Sequence, residues 1–268
     1  MSERSSALDG RVARRRFERA AKTYGAAAKL EDEVAARMLE RLDYVKVEPR
    51  RVLDAASGPP RASLGKRYPG ADLVALDFSL GMLGKRRWFA RNPIRLCADV
   101  TRLPLAGGSF GLVWSNMALH WLADPLPALR EFARVLAPDG LLMFSTLGPD
   151  TLKELRGAAG ARRVHDFIDM HDLGDMLLAA GFGSPVMDME MIELAYQTPA
   201  QLLDDLRASG QTLARADRAR GLRGRAFADK LRAALPGRAT FEVVYGHAWI
   251  NRKANQEAKT VRVFKRMP

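Results

Sequence analysis

The sequence predicts an α/β protein built on a mostly parallel, seven-stranded sheet with helices on both faces. Two observations lead there. Between residues 51 and 146, short apolar runs alternate with segments whose apolar residues recur every three or four positions, the pattern of successive βα units. Three of those runs also end in aspartate, at Asp54, Asp77 and Asp99, and a fourth ends in Asn116. Ligands of a Rossmann-like sheet bind outside the carboxyl ends of its strands, so polar groups repeated at strand tips mark a binding site.

The elements follow in order. Residues 11–42 place Phe17, Ala20, Tyr24, Ala27, Leu30, Val34, Met38 and Leu42 on one helical face, with Gly25 as the expected break and Pro49 as the end of the helical region. Strands are expected at Arg51–Ala56, Asp72–Asp77, Ile94–Asp99, Phe110–Asn116 and Gly140–Thr146, with a helix from Asp124 to Leu136. A helix from Asp172 to Gly181, a weak strand at Val186–Tyr196, a wholly helical stretch over 199–235 and a strong strand at Thr240–Ile250 complete the chain. The organisation expected is a helical segment 1–48, a core 49–198, a helical lid insertion 199–238, and a last strand with a basic tail over 239–268.

Composition narrows the class. The chain has 268 residues, 47% hydrophobic and 28% charged, and no apolar run near the roughly 18–20 residues that span a bilayer. No apolar stretch follows the basic N-terminal residues, and Glu3 and Asp9 count against an organellar presequence, so a cytoplasmic location is expected. Cys97 is the sole cysteine, which excludes a disulfide or thiolate cluster; its apolar setting predicts a buried strand residue. The four histidines have no metal-ligand spacing, so no metal is expected. The net charge of +12 is spread along the chain in short clusters, among them Lys85–Arg87, and aromatics are only 7%, which makes nucleic acid an unlikely partner and suits an acidic protein.

The strand-tip residues carry the chemistry. Asp77, in Leu76-Asp77-Phe78-Ser79 with Met82 beyond, can accept both ribose hydroxyls of a nucleoside. The bland alternative is a helix cap, for which Ser79 is better placed. Asp99 can accept from an adenine amine while Val100 packs on the ring. The turn Asp54-Ala55-Ala56-Ser57-Gly58-Pro59-Pro60 departs from the D-x-G-x-G-x-G of class I methyltransferases, keeping Asp54 and Gly58 but placing Ala56 and Pro60 at two glycine positions. A plain βα turn remains the alternative there. Asn116 closes the fourth strand, and His120, in Leu119-His120-Trp121, either orients a substrate carbonyl or serves as a structural hydrogen-bonder.

The chain resembles the malonyl-carrier-protein O-methyltransferases of biotin synthesis. The resemblance rests on Arg16-Phe17-x-x-Ala20-Ala21-x-x-Tyr24, on Trp114-Ser115-Asn116 with His120-Trp121, on Glu131-x-x-Arg134-Val135-Leu136, and above all on Ser145-Thr146-Leu147-Gly148-Pro149-x-Thr151-Leu152-x-Glu154-Leu155-Arg156; Tyr245-Gly246-His247-Ala248-Trp249 adds to it. It implies S-adenosylmethionine as cofactor, held by Asp54, Ala56, Gly58, Asp77, Phe78, Met82, Asp99, Val100 and Asn116. It implies methylation of the free carboxyl of malonyl on acyl carrier protein, with Tyr24, His120, Arg156 and His165 as candidates to place the malonyl group. Arg14, Arg15 and the arginines of 215–225 are candidates to meet the acidic carrier. A weaker resemblance, to an assembly factor of respiratory complex I, keeps open an assembly enzyme or a catalytically silent interaction protein.

Overall fold

The computed structural model describes residues 8–84, 93–217 and 224–250. The Lys85–Arg87 cluster and the basic tail from Asn251 lie outside them.

Seven strands form one sheet in the order β3-β2-β1-β4-β5-β7-β6. They are β1 (Arg51–Ala55), β2 (Asp72–Asp77), β3 (Ile94–Cys97), β4 (Phe110–Ser115), β5 (Leu136–Leu147), β6 (Phe182–Ala195) and β7 (Arg238–Ile250). The first five run parallel, while β7 lies antiparallel between β5 and β6. The order reverses between β1 and β4, which opens a crevice at their carboxyl ends.

Alternation along the central strands builds two cores. Val52, Leu112, Trp114, Leu141 and Met143 face one side, where Leu30, Val34 and Met38 of α3 (Lys29–Arg41) cover them. Leu53, Val113, Leu142 and Phe144 face the other, under Leu129 and Phe132 of α6 (Leu126–Val135) and Leu177 of α8 (Met170–Ala179). Strands buried on both faces read as continuous apolar runs, which is why they are legible in sequence.

The N-terminal helical region is broken twice. α1 (Gly10–Ala20) is capped by Asp9, whose carboxylate accepts from Arg11 N and Val12 N at 3.0 and 3.1 Å. The one-turn α2 (Tyr24–Ala27) contains Gly25, so the breaks fall at Thr23 and Ala28 and not at the glycine. The short helices α4 (Ala62–Arg67) and α5 (Leu80–Leu83) follow β1 and β2. Arg61 occupies the position before α4, so Pro60 lies outside that helix.

The expected helix over 199–235 is interrupted. α9 (Pro199–Ala208) and α10 (Arg225–Ala234) are separate, and the described residues 209–217 between them are not helical and turn at Gly210, with φ of +75°. That stretch pairs with the start of the chain: Asp9 N donates to the Ala214 carbonyl at 2.7 Å and Leu8 bridges Arg215. Arg16 donates to Thr212 at 2.6 Å and Thr23 to the Ala208 carbonyl at 2.7 Å. Tertiary pairing has overridden the helix propensity of the Ala- and Arg-rich sequence. α7 (Lys153–Ala159) and a 3-10 turn (Ala161–Arg163) lie beside it.

Cys97 is exposed, against the expectation of burial. It ends β3, the edge strand, so the apolar run around it is covered less completely than the runs of central strands.

Candidate active site

A cavity of about 740 Å³ opens at the carboxyl ends of β1 to β4, a volume suited to a nucleoside-sized ligand. It brings together most of the strand-tip residues, namely Ala56, Gly58, Asp77, Phe78, Met82, Asp99, Val100 and Asn116, with Tyr24, Phe17 and Trp121 across it.

Asp77 is the best-held polar group in it. The residue is 4% exposed; Oδ2 accepts from Gly58 N at 3.0 Å and Oδ1 from Ser79 N at 2.8 Å. Burial pushes its carboxyl up to about 6, against the pull of those amides. Ser79 Oγ itself caps α5 through Met82 N at 3.3 Å, so the helix has its own cap and Asp77 keeps free lone pairs toward the cavity.

The turn after β1 compensates for its missing glycines with strain. Ala56 holds φ of +57° and Gly58 +59°. A Cβ on Gly58 would meet Met82 Cε at 3.6 Å and the Tyr24 ring at 3.7 Å, so the glycine leaves a backbone surface that a ligand can approach closely. Asp54 does not line the large cavity. It borders a void of about 20 Å³ below the turn, shared with Tyr24, Arg61 and Asn116, and burial raises it to about 7.

Asp99 is exposed at the cavity edge, with Oδ1 accepting from Thr101 N and Thr101 Oγ1, both at 2.8 Å; its other oxygen has no such bond. Asn116 is fixed by donating to the Glu31 carbonyl at 2.9 Å and accepting from Ser145 Oγ at 2.8 Å.

Sequence reasoning missed two acids. Glu18 on α1 accepts from Ser79 Oγ at 2.5 Å and from Gly81 N at 3.0 Å, pinning α1 over α5. Glu31 is 3% exposed with Oε1 unpartnered, and burial raises it to about 7. The available signal was an acid on the buried face of α3, between Leu30 and Val34. Tyr24 packs nearby, and burial together with Glu31 holds its phenol protonated, well above its usual range.

His120 and Arg156 sit elsewhere. His120 lines a second cavity of about 290 Å³, with Trp121, His165, Leu152, Leu155 and Phe227. Trp121 belongs to both cavities and stacks edge-on against Phe17 and His165, each ring 4.9 Å away. Burial, aided by His165, pulls His120 down to about 3, so it is neutral. Arg156 lines neither cavity; its guanidinium donates to the carbonyls of Pro149 and His165 at 3.3 and 3.4 Å.

The Thr146–Arg156 segment is bolted to β7. Gly148 N and Thr151 Oγ1 donate to the Glu242 carbonyl, Asp150 N donates to the Glu242 carboxylate at 2.7 Å, and Glu154 accepts from Thr240 Oγ1 at 2.5 Å. The motif works as a brace that sets Leu152 and Leu155 in the wall of the second cavity.

A methyltransferase domain model matches residues 53–144, which take in the end of β1, all of β2 to β4 and most of β5. A malonyl-[acyl-carrier protein] O-methyltransferase of Methylovorus sp. (strain MP688) is 48% identical, over 90% of this chain and 89% of its own length. One of Laribacter hongkongensis (strain HLHK9) is 51% identical, over 87% and 86%. The chain belongs to the malonyl-[acyl-carrier protein] O-methyltransferase family. Among solved structures, the YcgJ protein of Bacillus subtilis matches with a TM-score of 0.59 at 14% identity, covering 80% of this chain and 98% of that one. A Haemonchus contortus phosphoethanolamine N-methyltransferase 2 in complex with S-adenosyl-L-methionine matches at 0.51 and 15%, covering 81% and 52%. These two share the class I methyltransferase fold. Family membership makes the chain a methyltransferase, and the silent or assembly-protein alternative is not favoured. Among the described residues no helix is long and apolar enough to cross a membrane, and no His, Cys, Asp or Glu cluster offers a metal site.

Proposed function

We propose that this protein transfers the methyl group of S-adenosylmethionine to the free carboxyl of a malonyl group on acyl carrier protein, in biotin synthesis. The observation that carries this reading is the strand-tip cavity, with Asp77 at its base and an apolar second cavity adjoining it across Trp121.

The cavity fits the cofactor. Asp77 offers free lone pairs for the ribose hydroxyls, Phe78 and Val100 offer apolar faces for adenine, and Asp99 offers an unengaged oxygen for its amine. Gly58 leaves backbone open to the methionine end. Two further buried acids, Asp54 and Glu31, lie outside the lining of that cavity, with Arg61 acting on both; together with Asp77 they add negative charge to its surroundings on ionising, which suits an α-ammonium and a sulfonium.

When bound, the cofactor supplies an electrophilic methyl group. The protein's share is placement. A malonyl carboxylate is ionised at neutral pH, so no general base is needed. Holding its oxygen in line with the methyl group can supply about 7–11 kcal/mol of the barrier reduction. Tyr24, kept protonated by burial, can donate to that carboxylate, and the Phe17–Trp121–His165 stack excludes water. The new C–O bond forms as the C–S bond breaks, with the electron pair going to sulfur, and no proton moves.

The acidic carrier finds exposed basic groups on α1, at Arg14 and Arg15. Arg14 also borders the cavity. Arg215 is engaged with Asp166 and Asp217, which makes it a brace for the cover over the site, and residues 218–223 lie outside the described residues.

The test is transfer of labelled methyl from S-adenosylmethionine to purified malonyl-acyl carrier protein, beside acetyl- and unloaded carrier. Label stable only on the malonyl form supports the assignment; no transfer to it removes it.

A further inference from the structure

The second cavity is built for something other than the cofactor. Its volume of about 290 Å³ is room for roughly ten water-sized groups at about 30 Å³ each. Its walls are chiefly leucine and phenylalanine side chains, and among the described residues it shares Trp121 alone with the cofactor cavity. Several of its polar side chains are already engaged: His165 Nε2 accepts from Ala214 N at 2.8 Å, Thr212 accepts from Arg16, and Arg207 pairs with Asp204.

His120 differs. It is 8% exposed; Thr146 Oγ1 lies 3.4 Å from Nδ1, while Nε2 has no partner. An orphaned buried polar atom destabilises the fold, and a ligand that pairs with it recovers that cost. With the Thr146 hydroxyl donating to Nδ1, the neutral ring carries its proton on Nε2 and offers one donor beside the Trp121 wall. The apolar stretch of an acyl thioester carries one matching acceptor, the thioester carbonyl.

We propose that the cavity behind Trp121 is the chamber for the acyl thioester, in which His120 Nε2 donates to the thioester carbonyl while the terminal carboxylate passes Trp121 toward the cofactor. This rests on the carboxyl-methylation reading and adds a specificity rule to it. The spacing between carbonyl and carboxylate is measured between His120 and the methyl donor, so a three-carbon diacid thioester is preferred over longer ones.

The test uses the full chain, with malonyl-pantetheine as thioester probe and calorimetry to measure its binding without cofactor. Ala159→Phe places a ring in the chamber from α7, and Leu206→Phe does so from α9, in case the first variant fails to fold by thermal melting. Either folded variant is expected to lose thioester affinity at least tenfold and to keep cofactor affinity within twofold. His120→Phe is expected to lower kcat/KM for malonyl thioester about tenfold and to narrow its advantage over succinyl thioester, while His120→Gln, which keeps a donor, restores much of both. Wild-type protein that binds the probe without methylating malonyl carrier leaves the chamber standing and refutes the reaction. Wild-type protein that methylates malonyl carrier but does not bind the probe, or blocked variants that bind and turn over like wild type, refute the chamber.

Discussion

The amide of Gly58 donates to Oδ2 of Asp77 at 3.0 Å, so the turn after β1 and the acid at the tip of β2 form one unit. The turn lacks two of the glycines usual at this place, and its position is held from the neighbouring strand. Replacing Asp77 would therefore disturb the proposed cofactor site twice, by removing the acceptor proposed for the ribose and by releasing the turn. Asp77→Ala should weaken S-adenosylmethionine binding by about 1.5–3 kcal/mol, or roughly 10- to 150-fold. Calorimetric titration checks it, and unchanged affinity removes Asp77 from the site.

Asp54 gives a pH-dependent prediction. Its folded value of about 7 lies above the ordinary carboxylate value near 4, because it is buried. Between those values the native state binds the extra proton, so this group's contribution to stability falls as pH rises from about 4 to about 7. Asp54→Asn should then be more stable than wild type without ligand at pH 8, with the gain vanishing near pH 4. Cofactor affinity should move the other way, tightening in wild type from pH 5.5 to 8 as the acids ionise, with protons released on binding. Urea melts and calorimetry in buffers of differing ionisation heat read both effects.

Ala56 at φ of +57° stores backbone strain of about 1–2 kcal/mol. Glycine there relieves it but gains unfolded-state entropy worth about 0.4–1 kcal/mol. Ala56→Gly should stabilise the protein by up to about 1 kcal/mol and leave cofactor affinity equal or tighter. A lowered urea midpoint would contradict the strain.

Gly148 has no room for a side chain, since a methyl there would lie 2.4 Å from the Glu242 carboxyl carbon. Gly148→Ala should cost about 1–3 kcal/mol. It should also raise KM for malonyl carrier by shifting Leu152 and Leu155, with cofactor affinity little changed. Cofactor affinity falling as much as KM rises would show that the brace does not act through the second cavity.

If the exposed arginines of α1 meet an acidic carrier, KM for malonyl carrier should rise several-fold between 50 and 300 mM salt, because the Debye length falls below about 10 Å. Arg14→Ala with Arg15→Ala should flatten that dependence while leaving kcat within twofold. A KM indifferent to salt would place the contact elsewhere.

The sheet was legible because its inner strands are buried on both sides and read as unbroken apolar runs; the aspartates at their tips were legible for the same reason, being polar endings to those runs. Edges and covers were less so. Cys97 read as buried because an apolar window does not reveal that its strand is last in the sheet. The 211–217 stretch read as helix because its Ala- and Arg-rich composition is silent about Asp9 and Arg16, the distant groups that hold it extended. The Gly148–Glu154 motif stood out in sequence, but its role needed Thr240 and Glu242, nearly ninety residues away. Glu31 escapes notice because it opens the run Glu31-Asp32-Glu33 at the start of α3, three acids together that read as one solvated face.

The clasp that closes the site joins Arg16 to Thr212 across 196 positions. Closing so long a loop depends on everything between its ends being in place first. A ribosome must therefore deliver the chain beyond residue 217 before the arriving end can cover the strand tips. Chains truncated before α9 keep β1 to β6 but lose β7 and the cover, so such fragments should not retain the cofactor. Acquisition of the cofactor then waits until the segment around Thr212 has been made and has met the N-terminal helix.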